Sequence, residues 1–357
     1  MKQLPLIITF CAIAGCDLIF SKQAALAHPD AHAIQKIVQE QVKSAKASLR
    51  PKAIVVVVAE PETGRILAID GYERGSVGNS GSSNALAGRL LFEPASTFRP
   101  VTAVAALDSG AITPKTKIFC ENGSFAHGGE IIRDSSPLGD LTFDEILAES
   151  SNIGASKMAL TLDDEVYYHY VRKFGFGEKS GLSVSKEMQG DLKSPAQWDA
   201  LTKARMAFGQ NVAVTPIQLS MAYCALANGG LLMKPVMGDE KPEVVHRVCS
   251  ERTANLVKNA LRAISPGKRT SHSSPGEEAI AGGKTGTARA VSSEGEYLPD
   301  QFWTMFVGFF PVEDPTHVIT VVVEEADVSP EKNTGGSVAA PIFAEIAGKI
   351  LKLTQPM

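Results

Sequence analysis

Residues 303–323 read WTMFVGFFPVEDPTHVITVVV. Aromatic and β-branched residues fill the two halves of this stretch, Trp303–Phe310 and His317–Val323, and such residues favour strands. Glu313-Asp314-Pro315 between them is typical of a turn. The stretch therefore predicts two successive strands near the carboxyl end of the chain.

Further strand signals lie toward both ends of the sequence. Ile54–Ala59 is a nearly continuous β-branched run, and a turn at Pro61–Gly64 leads to a return strand over Arg65–Asp70. Ala281–Ala290 also has strand character. Two amino-terminal and three carboxyl-terminal strands predict an α/β (α+β) fold with one mainly antiparallel five-stranded sheet built from both chain ends.

Helical patterns flank the predicted sheet and interrupt it. Apolar spacing predicts helices at His32–Leu49 and Ser337–Leu353, whereas Gly71–Gly88 is rich in Gly, Ser and Asn and predicts a surface loop. Residues 94–264 show helices and loops. We therefore expect a single domain over residues 28–357. Its sheet subdomain would combine 28–92 with 275–357, and an all-helical subdomain, 93–274, would be inserted between them.

The composition excludes several classes of protein. The chain is 44% hydrophobic and 21% charged, as in ordinary globular proteins, and its net charge of −4 offers no basic surface for nucleic acid. Cys120, Cys224 and Cys249 are too few and too scattered for a disulfide framework, so we expect them to be buried as small apolar residues.

Residues 1–27 have the features of a targeting segment. Lys2 precedes an apolar stretch, Leu4–Ile13. Cys16 follows a sequence that resembles a lipoprotein signal, whereas Ala25-Leu26-Ala27 fits an ordinary cleavage site; retention as a membrane anchor is a third reading. All three place the folded part outside the cytoplasm, either secreted or tethered, with the membrane contacted only through this segment.

Three polar clusters lie on the predicted elements. Ser96-Thr97-Phe98-Arg99 falls in the first turn of a helix, where backbone N–H groups stabilise negative charge. Ser150-Ser151-Asn152 joins a helix that begins with the capping box Thr142–Glu145 to the helix that follows. Lys284-Thr285-Gly286-Thr287 lies on a strand, where alternate side chains face opposite sides. Taken singly, each cluster is also what an ordinary cap, junction or edge strand would show.

Other kinds of site are not supported. A phosphate-binding loop ending at Gly283-Lys284-Thr285 would need glycine where the chain has Glu278. The seven histidines are scattered and no H-E-x-x-H motif occurs, so no metal site is predicted. No cofactor is expected.

The order and spacing of the three clusters resemble the S-x-x-K, S-x-N and K-T-G motifs of penicillin-binding proteins. The surrounding sequence is similar too: Phe92–Pro100 resembles the family's E-P-G-S-T-F-K-P, and Glu149–Gly154 and Val214–Leu219 resemble class B members. The resemblance runs from about residue 50 to the end. It implies the transpeptidase, or β-lactamase-like, fold.

The resemblance also implies roles for particular residues. Ser96 would be the nucleophile that attacks a D-Ala-D-Ala stem peptide of peptidoglycan or a β-lactam. Ser150 would relay a proton, Asn152 would bind the substrate amide, and Lys284 would supply positive charge beside Ser150. The resemblance also implies cell-wall synthesis proteins as partners of such a domain.

The Lys284 strand would bind the carboxylate end of the substrate. In the resemblance, Thr285 and Thr287, separated by Gly286, hold the terminal carboxylate. The N–H groups of Ser96 and Thr287 would form the oxyanion hole.

The chain departs from the family pattern at Arg99, which stands where the family has lysine; Ala95 also replaces the usual glycine. The family lysine must lose its proton to activate the serine. The ordinary pKa of arginine lies so far above neutrality that about one arginine in a million would be neutral at pH 7. Loss of a general base costs on the order of 10²–10⁴ in rate. Arg99 therefore predicts impaired acylation.

Two hypotheses from different classes follow. The first is an extracytoplasmic serine D,D-transpeptidase or carboxypeptidase that is slow, including one in which Lys284 acts as the base. The second is a non-catalytic peptidoglycan-binding or division and elongation scaffold on the same fold. A class D-like β-lactamase or sensor is disfavoured because such proteins carry S-x-V at the second motif.

Overall fold

The computed structural model describes residues 31–76, 83–262, 281–292 and 296–354. The predicted targeting segment, 1–27, and the predicted boundary at residue 275 lie outside the described residues. The helices are α1 (Ala31–Leu49), α2 (Ser83–Arg89), α3 (Arg99–Asp108), α4 (Phe143–Glu149), α5 (Asn152–Leu160), α6 (Asp164–Lys173), α7 (Thr202–Met206), α8 (Pro216–Ala227), α9 (Glu251–Arg262) and α10 (Ala339–Thr354). The strands are β1 (Ala53–Ala59), β2 (Ile66–Glu73), β3 (Ile118–Phe119), β4 (Ser124–His127), β5 (Glu130–Arg133), β6 (Asp140–Leu141), β7 (Leu231–Met233), β8 (Val244–Arg247), β9 (Gly282–Val291), β10 (Tyr297–Phe310) and β11 (His317–Glu324).

The central sheet has five antiparallel strands in the order β2-β1-β11-β10-β9. The two chain ends meet at its middle, where β1 pairs with β11 from Ala53 opposite Glu324 to Ala59 opposite Val318. This arrangement confirms the predicted sheet. Strand β9, which carries Lys284-Thr285-Gly286-Thr287, lies at one edge.

Both faces of the sheet are covered, which explains why β1 is an uninterrupted apolar run. On one face, Ile54, Val56 and Val58 belong to the core beneath α1 and α10. On the other face, Val55 and Val57 belong to the core shared with the inserted segment, where α8 packs on β1 and β11. All seven residues of β1 are buried.

The structure corrects two predictions. The inserted segment is not all-helical, because it contains three two-stranded ribbons, β3–β6, β4–β5 and β7–β8. Their strands have two to four residues, which is too short for a period-of-two pattern to show. The predicted loop Gly71–Gly88 is also wrong in part: β2 continues to Glu73, and α2 begins at Ser83. Residues of α2 are buried against β2 and β1. The sequence did not indicate this packing, because the many Gly, Ser and Asn residues of the segment are typical of a loop.

Two further observations concern the described residues, namely the state of the three cysteines and the length and polarity of the helices. Cys120, Cys224 and Cys249 are buried and unpaired, as predicted. None of the helices listed above is both long and apolar enough to cross a membrane.

Replacing Phe306 by alanine tests the packing of α10 on the sheet. Phe306 is fully buried and its ring centroid lies 4.5 Å from that of Phe343 on α10. Phe306→Ala should lower the free energy of unfolding by about 3–5 kcal/mol, because it removes a buried ring and leaves a cavity. Chemical denaturation measures this change. Leu353→Ala, at a position 46% exposed on the same helix, should change it by less than about 0.5 kcal/mol; equal effects would contradict the assigned packing.

Candidate active site

Ser96 lies at the start of a helix in the middle of the molecule. The 3₁₀ turn Ala95–Phe98 runs directly into α3, which begins at Arg99. The turn is held on both sides: Thr97 Oγ1 donates to the Pro94 carbonyl (2.6 Å), and the Tyr223 hydroxyl donates to the Thr97 carbonyl (2.9 Å). Ser96 itself is half-buried, and no described residue hydrogen-bonds to its Oγ. Its hydroxyl is thus available to a ligand.

The residue before Ser96 has a strained backbone. Ala95 has φ of +48°, in the left-handed region that glycine adopts easily and alanine does not. Its N–H donates to the Gly209 carbonyl (3.1 Å), and a side chain at position 209 would collide with the Ala95 backbone. The turn therefore keeps a glycine-type conformation although the glycine has been replaced.

Ser150-Ser151-Asn152 forms the link between two helices, as predicted. Helix α4 begins with the capping box of Thr142 and Glu145 and ends at Glu149. Ser150 adopts φ of +59°, which reverses the chain, and Ser151 caps α5 by accepting the Gly154 N–H (2.8 Å).

Asp134, which follows β5, fixes this link. One carboxylate oxygen accepts the N–H groups of Asn152 (2.5 Å) and Ile153 (3.1 Å), and the other accepts the Ser151 hydroxyl (2.6 Å). A carboxylate at a helix start is stabilised by the free N–H groups there. Asp134 was not among the predicted site residues, because its partners lie 17 to 19 positions away and no local pattern indicates the contact.

Arg99 is inserted into the same link from α3. Its side chain is buried, with Nε donating to the Ser151 carbonyl (3.2 Å), Nη1 to Ser150 Oγ (3.0 Å) and Nη2 to Asn152 Oδ1. Burial lowers the pKa of Arg99 to about 10, and the Asp134 carboxylate opposes that shift. Arg99 is therefore charged at neutral pH.

Lys284 reaches the same hydroxyl from the sheet. Along β9, Lys284, Gly286 and Ala288 are buried whereas Thr287 is exposed, which matches the predicted alternation. Lys284 Nζ lies 2.9 Å from Ser150 Oγ. Burial and the nearby charge of Arg99 hold the pKa of Lys284 well below its ordinary value.

The rest of the Lys284 strand approaches the segment before Ser96. A side chain at Gly286 would collide with Met305 and with the Pro94 carbonyl, so glycine permits this close approach. Thr287 Oγ1 accepts the Gly335 N–H (3.0 Å) from the segment before α10, a contact that the sequence did not indicate. Thr285 lies on the opposite face from Lys284 and is half-buried.

The structure thus gathers Arg99, Ser150, Asn152 and Lys284 into one hydrogen-bonded cluster, and places Ser96 and Thr287 beside it without such bonds to it. A cavity of about 320 Å³ adjoins Thr287; its lining residues are Gln210, Thr287, Ala288, Arg289, Tyr297 and Phe302. At its rim, the Tyr297 hydroxyl donates to the Glu93 carboxylate (3.0 Å). Within the described ranges, no three His, Cys, Asp or Glu side chains are grouped as ligands of a metal ion would be.

Residues 54–348 match the family description "Penicillin binding protein transpeptidase domain". The chain belongs to the penicillin-binding protein transpeptidase family. This membership and the sheet order confirm the family and fold that the three motifs predicted.

Individual relatives agree with this assignment. The chain is 31% identical over 337 residues to Stage V sporulation protein D of Bacillus subtilis (88% of this chain, 51% of the relative). It is 30% identical over 330 residues to the probable peptidoglycan D,D-transpeptidase PenA of Neisseria flavescens (90% and 80%). The chain spans about half the length of the first of these relatives.

Solved structures are similar as well. The TP domain of Burkholderia pseudomallei penicillin-binding protein 3 superposes with a TM-score of 0.77 at 31% identity (89% of this chain, 93% of that one). Penicillin binding protein 3 of Mycobacterium tuberculosis complexed with ampicillin gives 0.75 at 26% identity (89% and 76%).

Removing the Asp134 carboxylate should destabilise the link between α4 and α5. Asp134→Ala breaks three hydrogen bonds and leaves Arg99 without its nearby negative charge, so the free energy of unfolding should fall by about 2–3 kcal/mol in denaturant titrations. Asp239→Ala, at an exposed aspartate, should have little effect. Combining Asp134→Ala with Arg99→Met should cost less than the sum of the two single changes; strictly additive losses would show that the two side chains do not interact.

Restoring glycine at position 95 should be nearly neutral for stability. Ala95→Gly relieves about 1–2 kcal/mol of left-handed backbone strain, which offsets the lost methyl group and the greater freedom of the unfolded chain. Ala105→Gly, inside α3 and also buried, has no strain to relieve and should lower the free energy of unfolding by about 1–2 kcal/mol. Thermal unfolding of both variants checks this, and equal losses would rule out strain at Ala95.

Proposed function

We propose that this chain binds the D-Ala-D-Ala end of peptidoglycan stem peptides, and β-lactams, between β9 and the α4–α5 link, and that Ser96 is acylated by them slowly. Family membership supports this proposal, as do the name of the Neisseria flavescens relative and the ampicillin complex of the Mycobacterium tuberculosis protein. The reaction class is D,D-transpeptidase acyl transfer.

Each residue of the cluster has a part in this proposal. Ser96 Oγ attacks the scissile carbonyl, and the N–H groups of Ser96 and Thr287 stabilise the oxyanion. Ser150 relays a proton and Asn152 binds the substrate amide. Thr285 and Thr287, with Gly286 between them, receive the terminal carboxylate, next to the positive charge of the site.

The proposal of slow acylation rests on the hydrogen bonds that the Arg99 side chain makes. A base must offer a lone pair, and the Arg99 guanidinium, whose three nitrogens all donate to the Ser150-Ser151-Asn152 link, offers none. The residue beside the nucleophile therefore positions the link instead of accepting the Ser96 proton. The expected rate loss is on the order of 10²–10⁴.

Exchanging Arg99 for lysine tests this proposal. Arg99→Lys restores a side chain that can lose its proton, so acylation by a fluorescent penicillin should be about 10²-fold faster than in the unmodified chain, or more. Intact-mass spectrometry over time counts adducts on the unmodified chain and on the variant.

Two controls separate the causes. Ser96→Ala should gain no adduct, and an adduct that persists in that variant would show that another residue is acylated. Arg133→Lys, at an exposed arginine near the same link, should react like the unmodified chain. Acylation of Arg99→Lys no faster than that of the unmodified chain would refute the proposed effect of Arg99.

A non-catalytic peptidoglycan-binding or division and elongation scaffold is the second candidate. It is favoured by one observation: Arg99 already occupies Ser150 Oγ and Asn152 Oδ1, two of the atoms that an acyl transfer would use. Saturable binding of a stem peptide or β-lactam, with no adduct on Ser96 at any time, would establish this function instead.

We also propose that the folded part works outside the cytoplasm, in the periplasm or cell envelope. The apolar segment Leu4–Ile13 supports this placement, with processing at Cys16, cleavage after Ala27 or retention as an anchor as its three possible outcomes. Mass spectrometry of the amino terminus of the purified protein distinguishes them.

A further inference from the structure

The hydroxyl of Ser150 lies between two buried basic side chains. Arg99 Nη1 and Lys284 Nζ are 3.0 Å and 2.9 Å from Ser150 Oγ. A guanidinium has only donors, so Arg99 must donate to this oxygen. The bond to Lys284 can run in either direction: an ammonium can donate to Ser150, or the Ser150 hydroxyl can donate to a neutral amine.

Among the residues that the structure describes, Lys284 lacks the partners that a buried ammonium requires. Its side chain is only 2% exposed, and Ser150 Oγ is its one hydrogen-bond partner among the residues that the structure describes. No carboxylate within those residues forms an ion pair with it. An ammonium has three donors, of which two would stay unsatisfied next to the charge of Arg99. A neutral amine that accepts the Ser150 proton fits this environment better.

Arg99 is in the opposite situation. Each of its three guanidinium nitrogens has an acceptor, and the Asp134 carboxylate lies close enough to stabilise its charge. One positive charge in the cluster is therefore satisfied, and it is the charge on Arg99.

We propose that Lys284 is the base of this site: it accepts the Ser96 proton through Ser150, while Arg99 supplies the fixed positive charge. In the family resemblance these two tasks are divided the other way, with the base at position 99 and the charge at position 284. The inference rests on the proposed acyl transfer and deepens it by assigning the proton acceptor.

The proton balance closes over the step. Ser96 Oγ bonds to the substrate carbonyl carbon as its proton passes to Ser150 Oγ and the Ser150 proton passes to Lys284 Nζ. When the carbon–nitrogen bond breaks, the Lys284 ammonium returns a proton along the same path to the leaving nitrogen. The products are the Ser96 ester and an amine, and Lys284 is neutral again. Ser96 makes no hydrogen bond to Ser150 in the structure, so the two hydroxyls have to come into hydrogen-bond contact when a ligand binds.

Among the described residues, few titratable groups lie near Lys284 and Arg99. Arg99, on α3, is the cation beside Lys284, and Asp134, after β5, is the carboxylate that compensates Arg99. Tyr223, on α8, donates its hydroxyl to the Thr97 carbonyl, and burial raises its pKa far above the ordinary value, so it stays neutral.

The first test measures the charge of Lys284 without any ligand. The full chain is labelled with ¹³Cε-lysine, the Lys284 signal is assigned from Lys284→Met, and the signals are followed by NMR over pH. Lys284 should titrate well below the other lysines, and its midpoint should rise in Arg99→Met, which lacks the neighbouring cation. Arg133→Met, which removes an exposed arginine charge, should leave the midpoint unchanged. Titration of Lys284 together with the exposed lysines would overturn the inference.

The second test separates a base from a fixed charge at position 284. The rate at which a fluorescent penicillin acylates the unmodified chain should rise with pH, with the midpoint found for Lys284 by NMR, because only the neutral amine accepts a proton. Lys284→Arg keeps the positive charge but cannot act as a base, so it should lose about 10²-fold or more in rate, as should Lys284→Met.

The outcomes distinguish this inference from the function on which it rests. Acylation of Lys284→Arg at the rate of the unmodified chain would overturn the role of Lys284 and leave the acyl transfer standing. An unmodified chain that is never acylated at any pH, but binds the penicillin reversibly, would overturn both and leave the scaffold function.

Discussion

The antiparallel pairing of β1 with β11 is the constraint on which the rest of the molecule depends. It joins the two ends of the chain at the centre of the sheet, and β10 and β9 follow outward from it. This order places the strand with Lys284 at an edge, where it faces the inserted helices. The site is therefore made by segments that lie far apart in the sequence, and Lys284 and Ser150, which are 134 positions apart, share a hydrogen bond.

Within the site, the compensation of charge differs between the two basic side chains. Two basic side chains and one carboxylate are placed around a short link between helices, and burial makes each unsatisfied charge costly. Asp134 and the acceptors of the Ser150-Ser151-Asn152 link satisfy Arg99. Among the residues that the structure describes, Lys284 has one hydrogen-bond partner, the Ser150 hydroxyl.

The sequence predicted the sheet and the members of the cluster, and the family resemblance placed Lys284 beside Ser150, but the full set of contacts made by Arg99 was not predicted. Residues 303–323 and Ile54–Ala59 show their strands because a sheet covered on both faces needs continuous apolar runs. The strands of the ribbons, such as Ile118–Phe119, are too short to leave a pattern. Arg99 was identified as a departure from the family motif, but its partners lie more than 50 positions away. The role of Asp134 was not visible for the same reason: a single aspartate after a strand looks like any surface turn until the fold brings it to α5.

The three-point attachment of Arg99 fixes the geometry of the Ser150-Ser151-Asn152 link. A lysine donates from a single nitrogen, whereas the planar guanidinium of Arg99 donates from three separate positions to the Ser151 carbonyl, Ser150 Oγ and Asn152 Oδ1. A lysine at position 99 would therefore hold the link less firmly, but its amine would offer a lone pair once it had lost its proton. Arginine and lysine at position 99 would therefore differ in how firmly the ends of α4 and α5 are held together, apart from any difference in proton transfer.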